Sequence, residues 1–242
     1  MNRRIEINED RSQTIGRNLE ELIQSIRLTA LEAGRDPDSV RLVAVTKNFP
    51  ASDVEAAFHH GQRVFGENRA QELVAKASEL DSGVDCEWHM IGTLQTNKVK
   101  YLTGLVSLIH SVDSLRLLET IQRRAERMAL VQDVLLQVNV SGEDSKHGFS
   151  PSKMDLVLQE RGNLSHVRIR GLMTMAPFFD DPERARPVFA QLRLLRDQLS
   201  ERHGMPQLAE LSMGMTADYK QAIAEGATIV RIGSAIFGQR TP

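Results

Sequence analysis

Apolar residues along this chain alternate between helical spacing and short continuous runs, and the alternation recurs from end to end. Over residues 12–33, Ile15, Leu19, Leu22, Ile23, Ile26 and Ala30 fall at helical spacing, and Gly34 stands where such a helix can close. Residues 40–46 then carry a continuous run rich in Val and Leu, the pattern of a fully buried parallel strand. Further strands are predicted over 62–65, 86–91, 106–111, 134–140, 167–174, 208–213 and 228–232. Helices are predicted between them over 52–60, 69–80, 95–102, 114–128, 151–160, 181–203 and 217–225. Ser52 is the expected start of the second helix, and residues 1–11 read as a frayed end.

Strict alternation of strand and helix implies parallel βαβ units with right-handed crossovers. Eight such units fit an α/β fold of one kind, a single (β/α)8 TIM barrel with an extra N-terminal helix, for which about 250 residues is usual. An open doubly wound sheet is the alternative. It favours a glycine-rich first turn, whereas the first turn here carries Lys47. No repeat, low-complexity tract or linker divides the chain, so one domain is expected over 1–242.

Composition narrows the partners. Thirty basic residues nearly balance thirty-two acidic ones, for a net charge of -2, and no dense basic block is interleaved with aromatics. Neither nucleic acid nor an anionic membrane is therefore an expected partner. No apolar run approaches the ~20 residues of a membrane span, and the N-terminal segment is polar and charged, unlike a secretory signal. Cys86 is the single cysteine, which excludes an intramolecular disulfide and suits a reducing, cytoplasmic compartment. At the start of a strand it reads as an inert buried thiol. The adjacent His59 and His60 share no helix face, and no histidine or cysteine spacing indicates a metal.

Barrel chemistry is placed at the C-terminal ends of the strands. Lys47 ends the first strand, and removing an ammonium from water is costly, so this lysine either reaches the surface or reacts. The eighth strand ends in VRIGSAIFG, residues 230–238. Gly233 permits close backbone approach there, and Ser234 opens a short helix whose first amides face the mouth, as in the phosphate sites of such barrels. Ser212 and Met213, ending the seventh strand, can add donors. In a closed barrel the first and eighth strands are neighbours, so Lys47 and Arg231 share a seam. A lysine attacks a carbonyl only as the neutral amine, which a nearby permanent cation favours. Two ligand classes fit: a sugar phosphate in an aldolase, or pyridoxal 5′-phosphate. His89 is a candidate base, although a hydrogen-bonded structural histidine is the simpler reading.

Five ordered segments carry a resemblance beside these: AVTKNFP, FGENRAQEL, GLMTMAP, LSMGMTADY and VRIGSAIFG, with WHMIGTLQTNKVKYL between the second and third. From Val40 onward the chain resembles the pyridoxal phosphate homeostasis proteins. The resemblance implies one barrel like the N-terminal domain of alanine racemases, with the cofactor on Lys47 as a Schiff base. It implies further that Arg231 faces the pyridine nitrogen, that Ser212, Gly233 and Ser234 hold the phosphate, and that Asn68 and Met173 line the ring. Thr216 stands where that family often has serine, and Thr174 where it often has alanine. Lys146 matches a family lysine near the pocket mouth.

The function so implied is reversible carriage of the cofactor in intracellular homeostasis, with little or no catalysis, by a monomer that passes it to apo enzymes. The alternative is a single-domain amino acid racemase using the same cofactor. Arg231 weighs against it, because a non-acidic partner leaves the pyridine nitrogen neutral and a carbanion poorly stabilised. Racemisation also needs a second base. Tyr101 and Tyr219 fall on outer helices, and the ten residues after the eighth strand leave no expected room for the second domain that supplies a tyrosine in alanine racemases.

Overall fold

The computed structural model describes residues 7–143 and 147–239. Its strands are β1 (Arg41–Val45), β2 (Val64–Glu67), β3 (Glu87–Met90), β4 (Leu108–Val112), β5 (Gln132–Gln137), β6 (Val167–Met173), β7 (Glu210–Ser212) and β8 (Ile229–Ile232). They pair in sequence order, all in parallel, and β1 closes on β8 with Val43 opposite Arg231. This is the expected TIM barrel. Parallel strands buried on both faces expose no edge, which is why their sequences read as apolar runs.

The helices follow the same alternation: α1 (Glu9–Glu32), α2 (Ala51–His59), α3 (Ala70–Glu79), α4 (Val99–Leu102), α5 (Leu115–Arg127), α6 (Met154–Gln159), α7 (Arg186–His203), α8 (Tyr219–Ala224) and α9 (Ser234–Phe237). Expectations change at several of their ends. The segment read as frayed is helical from Glu9, because the Asn8 side chain accepts the Arg11 amide at 2.9 Å and caps the first turn. Pro50, rather than Ser52, occupies the cap position of α2. The helix expected from 181 begins as a tight 3-10 turn, Pro182–Ala185, before α7 proper.

Helix α1 spans the seam where the chain closes. Its buried face of Ile15, Leu19, Leu22, Ile26 and Ala30 belongs to the main core. Polar ties reach three other helices. Arg11 pairs with Asp53 of α2 and donates to the Phe237 carbonyl of α9 at 2.8 Å, and Ser25 bonds Tyr219 of α8 at 2.9 Å.

Side chains alternate across each strand. Those pointing outward, such as Phe65, Trp88, Leu172, Leu211 and Val230, pack in the main core beneath the helices. Those pointing inward form a small apolar layer of Val43, Leu108, Leu135, Met173 and Ile229. Buried polar residues of the barrel wall include His89, His110, Ser212 and Arg231.

Leu19 is 1% exposed and Leu28, on the same helix, 57%. Truncating Leu19 to alanine is expected to lower the unfolding free energy by about 2–5 kcal/mol, and Leu28→Ala by less than about 0.5. Urea denaturation compares them, and equal losses would mean that α1 does not dock on the barrel.

Candidate functional site

A cavity of about 390 Å³ opens at the C-terminal mouth of the barrel. Of the residues expected at the site, Lys47, Asn68, Arg231, Gly233 and Ser234 line it. Met173 and Ser212 do not. Met173 is fully buried in the inner apolar layer below, and the methionines that line the wall are Met175 and Met215. Ser212 lies beneath Arg231 rather than beside Ser234. Met213 faces outward into the main core. Lys146 lies outside the described residues.

The turn that presents Lys47 is built from its neighbours. Lys47 is half-buried, and the next residue, Asn48, has φ 66°, the left-handed region that asparagine tolerates better than most residues. Its amide donates to Glu72 at 2.6 Å. Lys76, buried under the same turn, donates to the Thr46 carbonyl at 2.6 Å, to Glu72 at 2.8 Å and to Glu67. Thr46 adds a hydroxyl bond to Glu67 at 2.5 Å. Burial pushes the Glu67 carboxyl above its ordinary range, opposed by the bonds from Lys76 and Thr46. Burial pushes Glu72 up as well, but the bonds from Lys76 and the Asn48 amide outweigh it and hold that carboxyl low.

Across the seam, Arg231 is 5% exposed. It donates to Ser212 Oγ at 2.5 Å and to the Thr174 carbonyl at 3.0 Å. Burial lowers its pKa to about 10, with Asp218 opposing, so the guanidinium stays charged at neutral pH. The Thr174 hydroxyl, where the family often has alanine, is satisfied by the Val138 carbonyl at 2.9 Å. Below Ser212, His110 Nδ1 lies 2.8 Å from Oγ, and His110 Nε2 lies 2.9 Å from His89 Nδ1. Both imidazole pKa values are lowered, chiefly by burial.

The third wall comes from two loops. Gly214 (φ 92°) lets the chain turn after β7, and Asp218 accepts the Met215 amide at 2.7 Å, which fixes the segment carrying Thr216. Thr216 and Ser234 join their hydroxyls at 3.0 Å on the cavity wall. At Gly233 an added Cβ would sit 2.8 Å from the Val45 carbonyl, so bare backbone is needed where β8 passes the end of β1.

Other candidates are placed away from the cavity. Cys86 is half-exposed, and burial together with Asp85 pushes its thiol up to about 11, which makes it a poor nucleophile. Tyr101 is exposed on α4, and Tyr219 is held by Ser25. His59 and His60 are exposed. Among the described residues no cluster of three metal-ligating side chains occurs, and no helix is long and apolar enough to cross a membrane.

Sequence reasoning missed Lys76, Gln137 and His110. His110 was detectable, since it lies two positions after the inward Leu108 on one strand. Lys76 was not, because two of its three partners, Thr46 and Glu67, are 30 and 9 residues away.

A barrel whose mouth brings a lysine, a buried guanidinium and paired hydroxyls around one small cavity is built for an anionic small molecule. The family of the alanine racemase N-terminal domain matches residues 18–241. A pyridoxal phosphate homeostasis protein of Aquifex aeolicus is 44% identical over 222 residues, covering 92% of this chain and 96% of the relative. One of the same name from Mus musculus is 42% identical, covering 83% and 77%. The solved structure of PipY from Synechococcus elongatus with PLP bound has a TM-score of 0.78 at 39% identity, covering 88% of this chain and 98% of that one. The chain belongs to the alanine racemase N-terminal domain family, and within it to the pyridoxal phosphate homeostasis proteins.

Two measurements test this architecture. Lys76→Met leaves Glu67 and Glu72 without their buried cation, and is expected to cost about 3 kcal/mol or more of stability. A variant as stable as wild type would remove the clamp under Lys47. Histidines 89 and 110 have folded-state pKa values below the ordinary 6.5. The unfolded chain therefore takes up protons first as pH falls. Their contribution is present above about pH 6.5 and is lost below it, by up to about 1.4 kcal/mol per pH unit for each. The unfolding free energy should thus fall between pH 7 and 5.5, and a flat profile would contradict neutral buried imidazoles.

Proposed function

We propose that this protein binds pyridoxal 5′-phosphate reversibly on Lys47 and acts as a monomeric, cytoplasmic carrier that passes the cofactor to apo enzymes without turning over amino acids. The residues present fit the group. When bound, pyridoxal phosphate supplies an aldehyde that condenses reversibly with a lysine amine and a ring that withdraws electrons. Lys47 is the amine on the cavity wall. Ser234 and Thr216 hydroxyls, with the backbone at Gly233, offer donors for a phosphate. Asn68 and Met175, on the cavity lining, would flank the ring, and Arg231 would be the charged donor for its nitrogen. The PLP-bound relative PipY and the homeostasis proteins at 42–44% identity support the same ligand.

One observation carries the non-catalytic part. Among the described residues that line the cavity there is no carboxylate and no imidazole; the polar side chains are Lys47, the Arg231 guanidinium, amides and hydroxyls. A racemase needs a base on each face of the reacting carbon. His89 does not serve, because it lies inside the barrel behind His110. Arg231, charged and a donor only, keeps the ring nitrogen unprotonated and so withholds the electron sink that such chemistry uses.

Borohydride reduction of the holo protein followed by peptide mapping should place the pyridoxyl label on Lys47, and Lys47→Ala should abolish it. Incubation of the holo protein with L-alanine should leave its chirality unchanged while an added apo enzyme gains activity. Robust racemisation would instead establish the single-domain racemase. Ser234→Asp sets a carboxylate against a phosphate dianion and should raise the Kd for pyridoxal phosphate by about tenfold or more. Asn48→Asp, on an exposed residue outside the cavity lining, should change it far less. Equal affinities in a titration of the apo forms would locate the phosphate elsewhere.

A further inference from the structure

Ser212 and the two interior histidines form a chain whose direction is dictated at one end. An arginine can only donate, so the 2.5 Å contact from Arg231 occupies a lone pair of Ser212 Oγ. Among the described residues the other hydrogen-bond partner of that hydroxyl is His110 Nδ1, at 2.8 Å. If the serine proton goes there, both groups are satisfied. If His110 donated instead, the serine hydrogen would be left in a fully buried site without an acceptor, at a cost of about 1–3 kcal/mol.

The remaining links follow. With Nδ1 accepting, neutral His110 carries its proton on Nε2 and gives it to His89 Nδ1 at 2.9 Å. His89 in turn carries its proton on Nε2, an atom buried without a hydrogen-bond partner. That atom faces a small vestibule at the N-terminal mouth of the barrel, lined by Glu87, Asp133 and Glu210 together with Arg41 and Arg170. Glu87 stands 3.9 Å away, and the two arginines lie 4.0 and 3.9 Å from Glu210 and Asp133. A donor beside the Glu87 carboxylate is favourable, whereas a lone pair there would be repelled by it. Both ends of the chain thus select the same direction, and the burial that keeps both imidazoles neutral is consistent with it.

We propose that His110, backed by His89, is a positioning residue: it turns the Ser212 hydroxyl so that its oxygen holds the Arg231 guanidinium against the ring nitrogen of bound pyridoxal phosphate. This role rests on the ligand reading above, whereas the direction of the chain does not. Among the described residues the other hydrogen-bond anchor of Arg231 is the Thr174 carbonyl, so a loosened Ser212 leaves the guanidinium free to rotate about it.

Nitrogen-15 NMR of the full-length, cofactor-free protein labelled at histidine should show His110 and His89 both neutral and protonated on Nε2; a proton on Nδ1 of His110 would overturn the chain. In the holo protein made with pyridoxal phosphate enriched at the pyridine nitrogen, His110→Leu should shift that resonance and raise Kd about tenfold. His110→Asn places an amide oxygen near the lost Nδ1, and should restore both. An unmoved resonance in a folded His110→Leu overturns the positioning role alone. Should that variant not fold, Ser212→Ala removes the same link from the other side and must give the same shift. Failure of the wild-type protein to bind the cofactor overturns the ligand reading and the positioning role together, while the tautomers still judge the chain.

Discussion

A guanidinium buried inside the barrel is the constraint around which the site is arranged. Taking Arg231 out of water costs several kcal/mol even after relaxation, and the group remains charged because its pKa falls only to about 10. The fold must therefore supply fixed acceptors at that depth. It supplies the Ser212 hydroxyl from the adjacent strand and the Thr174 carbonyl from the end of β6. Ser212 needs a partner of its own, which brings in His110 and then His89. Four strands are thereby committed to holding one cation at the floor of the cavity.

The neighbouring wall solves a similar problem for a second buried cation. Lys76 is nearly buried, and its three acceptors, Thr46, Glu67 and Glu72, surround the turn that carries Lys47. A left-handed residue directly after Lys47 is tolerable because Glu72 holds its amide. Lys47 thus stands on a clamped turn while its own side chain stays half-exposed at the cavity.

The two walls also bear on reactivity. A donor-only cation beside a single lysine, on a described lining without carboxylate or imidazole, offers few groups for the proton traffic that amino acid chemistry requires. Homologues named for pyridoxal phosphate homeostasis fit such a site. Closing β1 onto β8 makes it possible, because the strands bearing Lys47 and Arg231 lie at opposite ends of the chain.

Much of this was legible in the residues. The alternation of apolar runs with helical faces specified eight parallel units, because strands covered on both sides must be apolar throughout. Lys47, Asn68, Arg231, Gly233 and Ser234 were recognisable at strand ends, and all five line the cavity. Asn8, the cap of a helix that takes in residues 9–11 of the stretch read as frayed, was overlooked although the residue itself carried the signal. Met173 and Ser212 show the limit. Period-two alternation correctly turns both inward, but how deep an inward side chain lies depends on the stagger between strands, which closure of the barrel sets and no single strand encodes. The partnerships of Lys76, His110 and Ser212 were settled in the same way, since residues far apart in sequence meet only after the barrel has closed.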